Sequence, residues 1–178
     1  FLQRRPIDMI VLATTGRDGI ASWLMPSKAE KIAHETHTPT LFVPSGGRGC
    51  VSLDSGEVTM EHVIVPIDTT PDPGDAIQRG LRALSAFGSE RARLSLVHVG
   101  GSEMPQIAVP EGPWSVEHHL IPSGNPATEI LALAESGKAN LIAMVTDGAH
   151  GFLDAFRGTT TDQVVRHAPC PVLAIPTH

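Results

Sequence analysis

Apolar positions along this chain follow two rhythms. Unbroken apolar runs at residues 9–13, 62–67 and 141–145, and Pro-led runs at 39–43 and 171–175, have strand length and no helical period. Residues 75–87 (DAIQRGLRALSAF) instead set Ile77, Leu81, Leu84 and Phe87 on one helical face. Ala92–Val99 alternates and then runs apolar, which predicts a strand, and Trp114–Ile121 predicts another. Residues 100–113 hold three Pro and three Gly and predict a loop. Pro126–Ser136 predicts a helix with Pro at or near its first position, where the lost N–H costs nothing. From residue 60 to 178 the predicted order is strand, helix, strand, strand, helix, strand, helix, strand. Apolar strands joined through helices predict a parallel sheet covered on both faces, with right-handed connections.

The chain also repeats itself. Residues 8–44 align without a gap on residues 140–176, at an offset of 132. Ile10/Ile142, Thr14/Thr146, Gly16/Gly148, Gly19/Gly151, Pro39/Pro171, Leu41/Leu173 and Pro44/Pro176 are identical pairs. Each copy predicts a strand, a Gly-rich turn, a helix with Ser27 or Thr159 in the capping position, and a Pro-led closing strand. Nothing comparable to residues 60–139 precedes the first copy. The polar Gly/Ser stretch 45–59 reads as an interdomain linker with a short hairpin around Asp54, Ser55 and Gly56. The expected division is therefore 1–44 as the closing strand–helix–strand of an incomplete first repeat, 45–59 as linker, and 60–178 as a complete domain.

Several segments give the chain a family resemblance: Val65-Pro66-Ile67-Asp68, Leu96-Val97-His98-Val99, the Gly124-x-Pro126 turn, and Arg166-His167-Ala168-Pro169-Cys170-Pro171-Val172-Leu173. Together they resemble the universal stress protein (UspA) family, in its tandem form. The resemblance implies an α/β fold of the adenine nucleotide alpha hydrolase, Rossmann-like type. That fold is an open parallel five-strand sheet, order 3-2-1-4-5, with helices on both faces. Nucleotide-binding members carry G-x2-G-x9-G-[ST], which falls here on Val145, Gly148, Gly158 and Thr159, with Val in place of the first Gly. In the first copy the same positions are Ala13, Gly16, Pro26 and Ser27, and Pro26 lacks the N–H a phosphate would want. That copy is expected to be degenerate for nucleotide.

The physics behind such a motif is that of a glycine loop and a helix start, whose unpaired N–H groups and positive dipole end suit an anion. Gly158, Thr159 and Thr160 stand at such a start, and Arg157 precedes them. The pocket would lie where the first and fourth strands separate, the switch point of an open sheet. The resemblance implies that Pro66 and Asp68 close the first strand there, Asp68 on the nucleoside, with Val99 against the base. The plainer reading of Thr159 is a helix cap, and of the glycines, turn residues.

Composition narrows the field. The net charge is -6, from 13 basic and 19 acidic residues, which speaks against a nucleic-acid or anionic-membrane binder. Tyr is absent, with two Trp and five Phe, so no aromatic platform for single strands is expected. No apolar run approaches the ~20 residues of a membrane span. Phe1 is not a start Met and residues 1–6 are not of signal type, so the chain reads as a processed product or a piece of something longer. Cys50 and Cys170 form no disulfide framework or zinc motif and fit a reducing cytoplasm.

Nine His raise the question of a metal. Asp68, His98, Asp147 and His150 should lie near the carboxyl edge of the sheet, and Asp68, His98 and His150 are the candidate ligands. Their spacing matches no zinc motif, and no metal is expected. His34, His37 and His167 are expected at helix ends. No nucleophile elbow or Cys/His arrangement points to catalysis, and no Walker loop to a motor. The expected function is binding of ATP or a related adenine nucleotide, with or without Mg²⁺, and at most slow hydrolysis. The alternatives are a member that binds no nucleotide and acts by self-association, and a metal-dependent hydrolase. A strand–helix–strand of this size cannot fold alone. The family resemblance implies that the last strands of two domains pair, so residues 39–43 are expected to pack on 171–175, in a tandem pseudo-dimer or a homodimer.

Overall fold

The computed structural model describes residues 7–14, 38–52, 54–69, 73–85, 91–146 and 159–177. Its elements are β1 (Ile10–Thr14), β2 (Thr40–Pro44), β3 (His62–Pro66), α1 (Gly74–Ser85), β4 (Ala92–Val99), β5 (Trp114–Ile121), α2 (Pro126–Ser136), β6 (Leu141–Thr146), α3 (Thr160–His167) and β7 (Val172–Pro176). The bounds of β4, β5 and α2 are those the sequence predicts. β3 and β6 differ by one residue at the carboxyl end, β1, β2 and β7 are each shifted by one residue, and α1 begins at Gly74. Leu84 and Phe87, expected on the buried face of α1, lie outside the described side chains, as does the helix expected after Ser27.

All strands join one sheet in the order β1-β2-β7-β6-β3-β4-β5. Counted from β3 as the first strand, the last five have the expected order 3-2-1-4-5, all parallel. The sheet has seven strands rather than five because β2 pairs antiparallel with β7 and carries β1 with it.

Apolar β-branched residues in β3 and β6 are buried because helices cover both faces. On one face Ile77 and Leu81 of α1 pack with Val63, Val65, Leu94, Leu96 and Leu173. On the other, Ile130 of α2 and Val164 of α3 pack with Ile64, Val97, Ile142 and Val172. Each such side chain contributes about 1.5–3 kcal/mol. Polar alternation in β5 fits its place at the edge, where only β4 pairs with it. α2 starts where Asn125 Oδ1 accepts the Thr128 N–H (3.1 Å), and it stops at Gly137, followed by Lys138 with φ 50°.

The five register pairs of β1 with β2 coincide, at the offset of 132, with the five of β6 with β7. Their flanking hydrogen bonds coincide too: Ile10 N to Pro39 O (2.9 Å) with Ile142 N to Pro171 O (3.0 Å), and Ser45 N to Thr14 O with Thr177 N to Thr146 O (both 2.8 Å). Across the antiparallel pairing Leu41 faces Leu173, its own counterpart, while Thr40 faces Ala174 and Phe42 faces Val172. The two units are thus related by a local two-fold axis at Leu41/Leu173. Their outer flanks differ: Ala143 is buried beside β3, whereas its counterpart Val11 is 58% exposed.

The stretch after β2 packs onto the body of the fold. The hairpin expected at Asp54–Gly56 forms, with a Val51–Val58 bridge and Gly56 at φ 73°. Arg48 N donates to Pro169 O (2.7 Å). Its guanidinium Nη2 donates to Ala134 O (3.0 Å) and meets Glu135 Oε2 (3.3 Å). The last turn of α2 has no basic residue of its own, so Arg48 supplies the cation its dipole favours.

Candidate functional site

β3 pairs with β4 at five positions but with β6 only at Val63–Leu141 and Ile64–Ile142. Beyond Ile64 the two central strands part, and a crevice opens between their carboxyl ends. Pro66, half-buried, and Asp68, exposed, lie on its β3 side, and Val145, half-buried, and Thr146, buried, on its β6 side. Val99 ends β4 two residues beyond Val97, the partner of Pro66. α3 leads into the start of β7, so its first turn, with Thr159 and Thr160, points to this same edge. The described members of the expected set, Pro66, Asp68, Val99, Val145, Thr159 and Thr160, thus all lie toward the carboxyl edge of the sheet. Gly148, Gly158, Arg157, Asp147 and His150 lie outside the described residues.

Asp68 Oδ1 accepts the backbone N–H of Thr69 (2.7 Å) and its hydroxyl (3.4 Å), which fixes the carboxylate at the turn. His98 Nδ1 donates to Ile67 O (3.0 Å), because a carbonyl can only accept. Its Nε2 is left as the acceptor, near Gly101. Gly100 and Gly101 take φ 108° and 73°, which side-chain-bearing residues rarely adopt. Gly100 N donates to Ile121 O (2.8 Å), closing the ends of β4 and β5.

Thr159 caps α3: its hydroxyl accepts the Asp162 N–H (3.2 Å) and its carbonyl the Gln163 N–H (3.1 Å). Asp162 places a buried carboxylate in the first turn of α3, paired with Arg166 Nε at 2.6 Å. That carboxylate already takes up part of the favourable helix field. Thr146 adds a feature the sequence did not announce. It is 7% exposed, and among the described residues its buried Oγ1 has no hydrogen-bond partner, while its carbonyl accepts both N–H and hydroxyl of Thr177 (2.8 and 3.2 Å). An unpartnered buried hydroxyl costs about 1–3 kcal/mol.

Among the described residues no group of three His, Cys, Asp or Glu is placed to hold a metal. His98 is engaged as above, and His167 Nδ1 donates to Gln163 O (2.9 Å) at the end of α3. Cys50 and Cys170 are free thiols. Burial pushes the Cys50 thiol up and the Cys170 thiol up to about 12, so neither is a nucleophile near neutral pH.

The family model described as the Universal stress protein family matches residues 1–44 and 102–176, more than half of the chain. The chain belongs to the universal stress protein family. A universal stress protein of Methanocaldococcus jannaschii is 25% identical over 150 residues, covering 69% of this chain and 86% of the relative. One of Thermus aquaticus is 42% identical over 59 residues, 33% of this chain and 43% of the relative. The solved universal stress protein of Archaeoglobus fulgidus superposes with a TM-score of 0.60 at 20% identity, over 93% of this chain and 60% of that one. A Pseudomonas aeruginosa protein of unknown function gives 0.60 at 12% identity, over 98% of this chain and 65% of that one. This universal stress protein chain thus spans less than two thirds of those solved chains, and at such identities the likeness concerns the fold. Residues 45–101, with Asp68 and Val99, fall outside the family match. Their place at the carboxyl edge is given by the sheet.

Proposed function

We propose that this universal stress protein binds an adenine nucleotide, ATP or a close relative with or without Mg²⁺, in the crevice between β3 and β6, and does not turn it over beyond slow hydrolysis. The observation that carries the reading is the early parting of β3 and β6, with Asp68 on one side and the capped start of α3 on the other. The unpartnered Thr146 hydroxyl supports it, since a bound polar group would satisfy that oxygen. The resemblance assigns the phosphates to Val145, Gly148, Gly158, Thr159 and Thr160, the nucleoside to Pro66 and Asp68, and the base to Val99. No observation among the described residues favours a metal-dependent hydrolase built on Asp68, His98 and His150, and His150 lies outside them.

The test is direct. Protein purified without added nucleotide is denatured and the supernatant chromatographed, and titration calorimetry with ATP follows on the native chain. Bound or titratable nucleotide, lost in Gly148→Val, is the expected result. No binding at millimolar ATP would end the nucleotide reading.

A second reading, association without nucleotide, is favoured by Val145, which packs toward the α1 side of the core, and by the Asp162 carboxylate in α3. The local two-fold axis between β2 and β7 supports a tandem pseudo-dimer, residues 1–44 standing for the end of one repeat and 60–178 for the next. Light scattering of the purified chain would separate this arrangement from a homodimer formed through the same strands. No described helix is long and apolar enough to cross a membrane, and the acidic balance gives no basic face for nucleic acid. A cytoplasmic protein is the reading that also fits its two free thiols.

A further inference from the structure

The amino edge of the sheet holds a cluster that the nucleotide reading leaves unused. His62, at the start of β3, is only 6% exposed. Its Nε2 meets the hydroxyl of buried Ser95 on β4 at 2.9 Å. Its Nδ1 lies 3.0 Å from Gly137 O, in the turn after α2, and also 3.2 Å from Arg93 Nη2 on β4. The main chain is fixed there as well: Asn140 Oδ1 accepts the N–H of His62 (2.9 Å) and of Glu61 (3.1 Å), and Asn140 N donates to His62 O (2.9 Å).

Nδ1 cannot serve both of its neighbours in a neutral ring. If it bears the proton it suits Gly137 O and opposes Arg93; if bare, it suits Arg93 and opposes the carbonyl. A second proton decides the contest. The imidazolium has N–H groups for both Gly137 O and Ser95 Oγ and no acceptor for Arg93, and it puts a positive charge 3.2 Å from the guanidinium. Arg93 has another partner at hand: its Nε is 3.9 Å from Glu117 Oε2 on β5. The same carboxylate oxygen is 3.6 Å from His119 Nε2. The charged groups facing the ring are therefore Arg93 from β4 and Glu117 and His119 from β5, with Gly137 and Asn140 as uncharged neighbours from the α2–β6 turn.

We propose that His62, Arg93 and Glu117 form a proton-operated relay, in which protonation of His62 releases Arg93 to Glu117 and so alters the charge pattern of the exposed edge strand β5. Burial, reinforced by Arg93, holds the His62 ring below the usual histidine range, with Gly137 O and Glu117 acting the other way. The relay therefore works in acid solution and rests at neutral pH. Arg93 and Glu117 are about half exposed and free to make the exchange, whereas His62 and Ser95 are locked in place.

Imidazole and guanidinium NMR of the full chain between pH 7.5 and 5 tests the relay. The Arg93 Nε resonance is expected to shift with the same midpoint as the His62 ring. Arg93→Gln should raise the His62 midpoint and Glu117→Gln lower it, each by roughly half a unit or more, as neighbouring charges do. In Glu117→Gln the Arg93 shift should be smaller than in the wild type, because the released guanidinium has no carboxylate to meet. His62→Gln should abolish the Arg93 shift. An Arg93 signal indifferent to the His62 titration, or a His62 midpoint unmoved by Arg93→Gln, would overturn the relay. The first of those readings uses the wild type and the second a variant at a half-exposed site, so both stand even if His62→Gln fails to fold.

Discussion

The two edges of this sheet are built on opposite principles. At the amino edge, β3, β4 and the α2–β6 turn are cross-linked through His62 and Asn140, and the polar groups there meet one another. At the carboxyl edge, β3 and β6 part after two paired positions, Asp68 is exposed, and the buried Thr146 Oγ1 has no partner among the described residues. The first edge ties its strands and turn together through side chains; the second leaves a carboxylate exposed and a buried hydroxyl for a ligand to meet. Binding sites in open sheets arise at the second kind of edge, because only there can a ligand supply what the fold does not.

The comparison can be broken first where packing is tightest. A Cβ at Gly137 would sit 2.7 Å from His62 Cε1 and 2.9 Å from Leu133 O. Gly137→Ala is expected to cost about 1–3 kcal/mol in urea unfolding, since neither the locked ring nor the helix carbonyl can yield. Nucleotide binding per folded molecule should be unaffected.

A smaller effect comes from pH. The His62 ring titrates below its unfolded value of 6.5, so the unfolded chain takes up this proton first as pH falls. His62 thus contributes stability that is present above pH 6.5 and is lost as pH falls from there toward the folded value. The slope is at most about 1.4 kcal/mol per pH unit for one proton. Urea titrations of the wild type and of His62→Gln, at pH 7 and at mildly acidic pH, would show whether the difference vanishes in the variant.

The smallest change expected is at the other edge. Thr159→Ala removes the acceptor for the Asp162 N–H and should cost about 1 kcal/mol. It should also weaken ATP binding, whereas Thr159→Ser should restore both. If Thr159→Ala lowers stability and leaves ATP affinity intact, Thr159 is a cap only, and the phosphate must be held elsewhere.

Much of this could be read along the chain. The bounds of β4, β5 and α2 were legible because alternation, length and a first-position Pro are local signals. The family resemblance foretold the contact of β2 with β7, and the repeat showed which strands it would join, since both copies end in the same Pro-led strand. Its antiparallel direction was not legible, because direction depends on how two units meet and not on either strand. The glycine motif identified Thr159 and Thr160, but Thr146 appeared only as an identical pair in the repeat. Its unpartnered hydroxyl is a property of its surroundings. Ser95 read as an ordinary strand residue and Arg48 as part of a linker. Their partners lie 33 and 86 residues away, beyond the reach of any local pattern.

Sequence by itself determined the alternation of strands and helices, the duplicated closing unit and the family, because each of these is written in periods and spacings of a few residues. Tertiary structure alone decided where β3 leaves β6, that a two-fold axis runs through Leu41 and Leu173, and that His62 stands between a carbonyl and a guanidinium. Those facts depend on which distant groups arrive at one place, and hydrogen bonds and charges act over a few ångströms of space, whatever their separation along the chain.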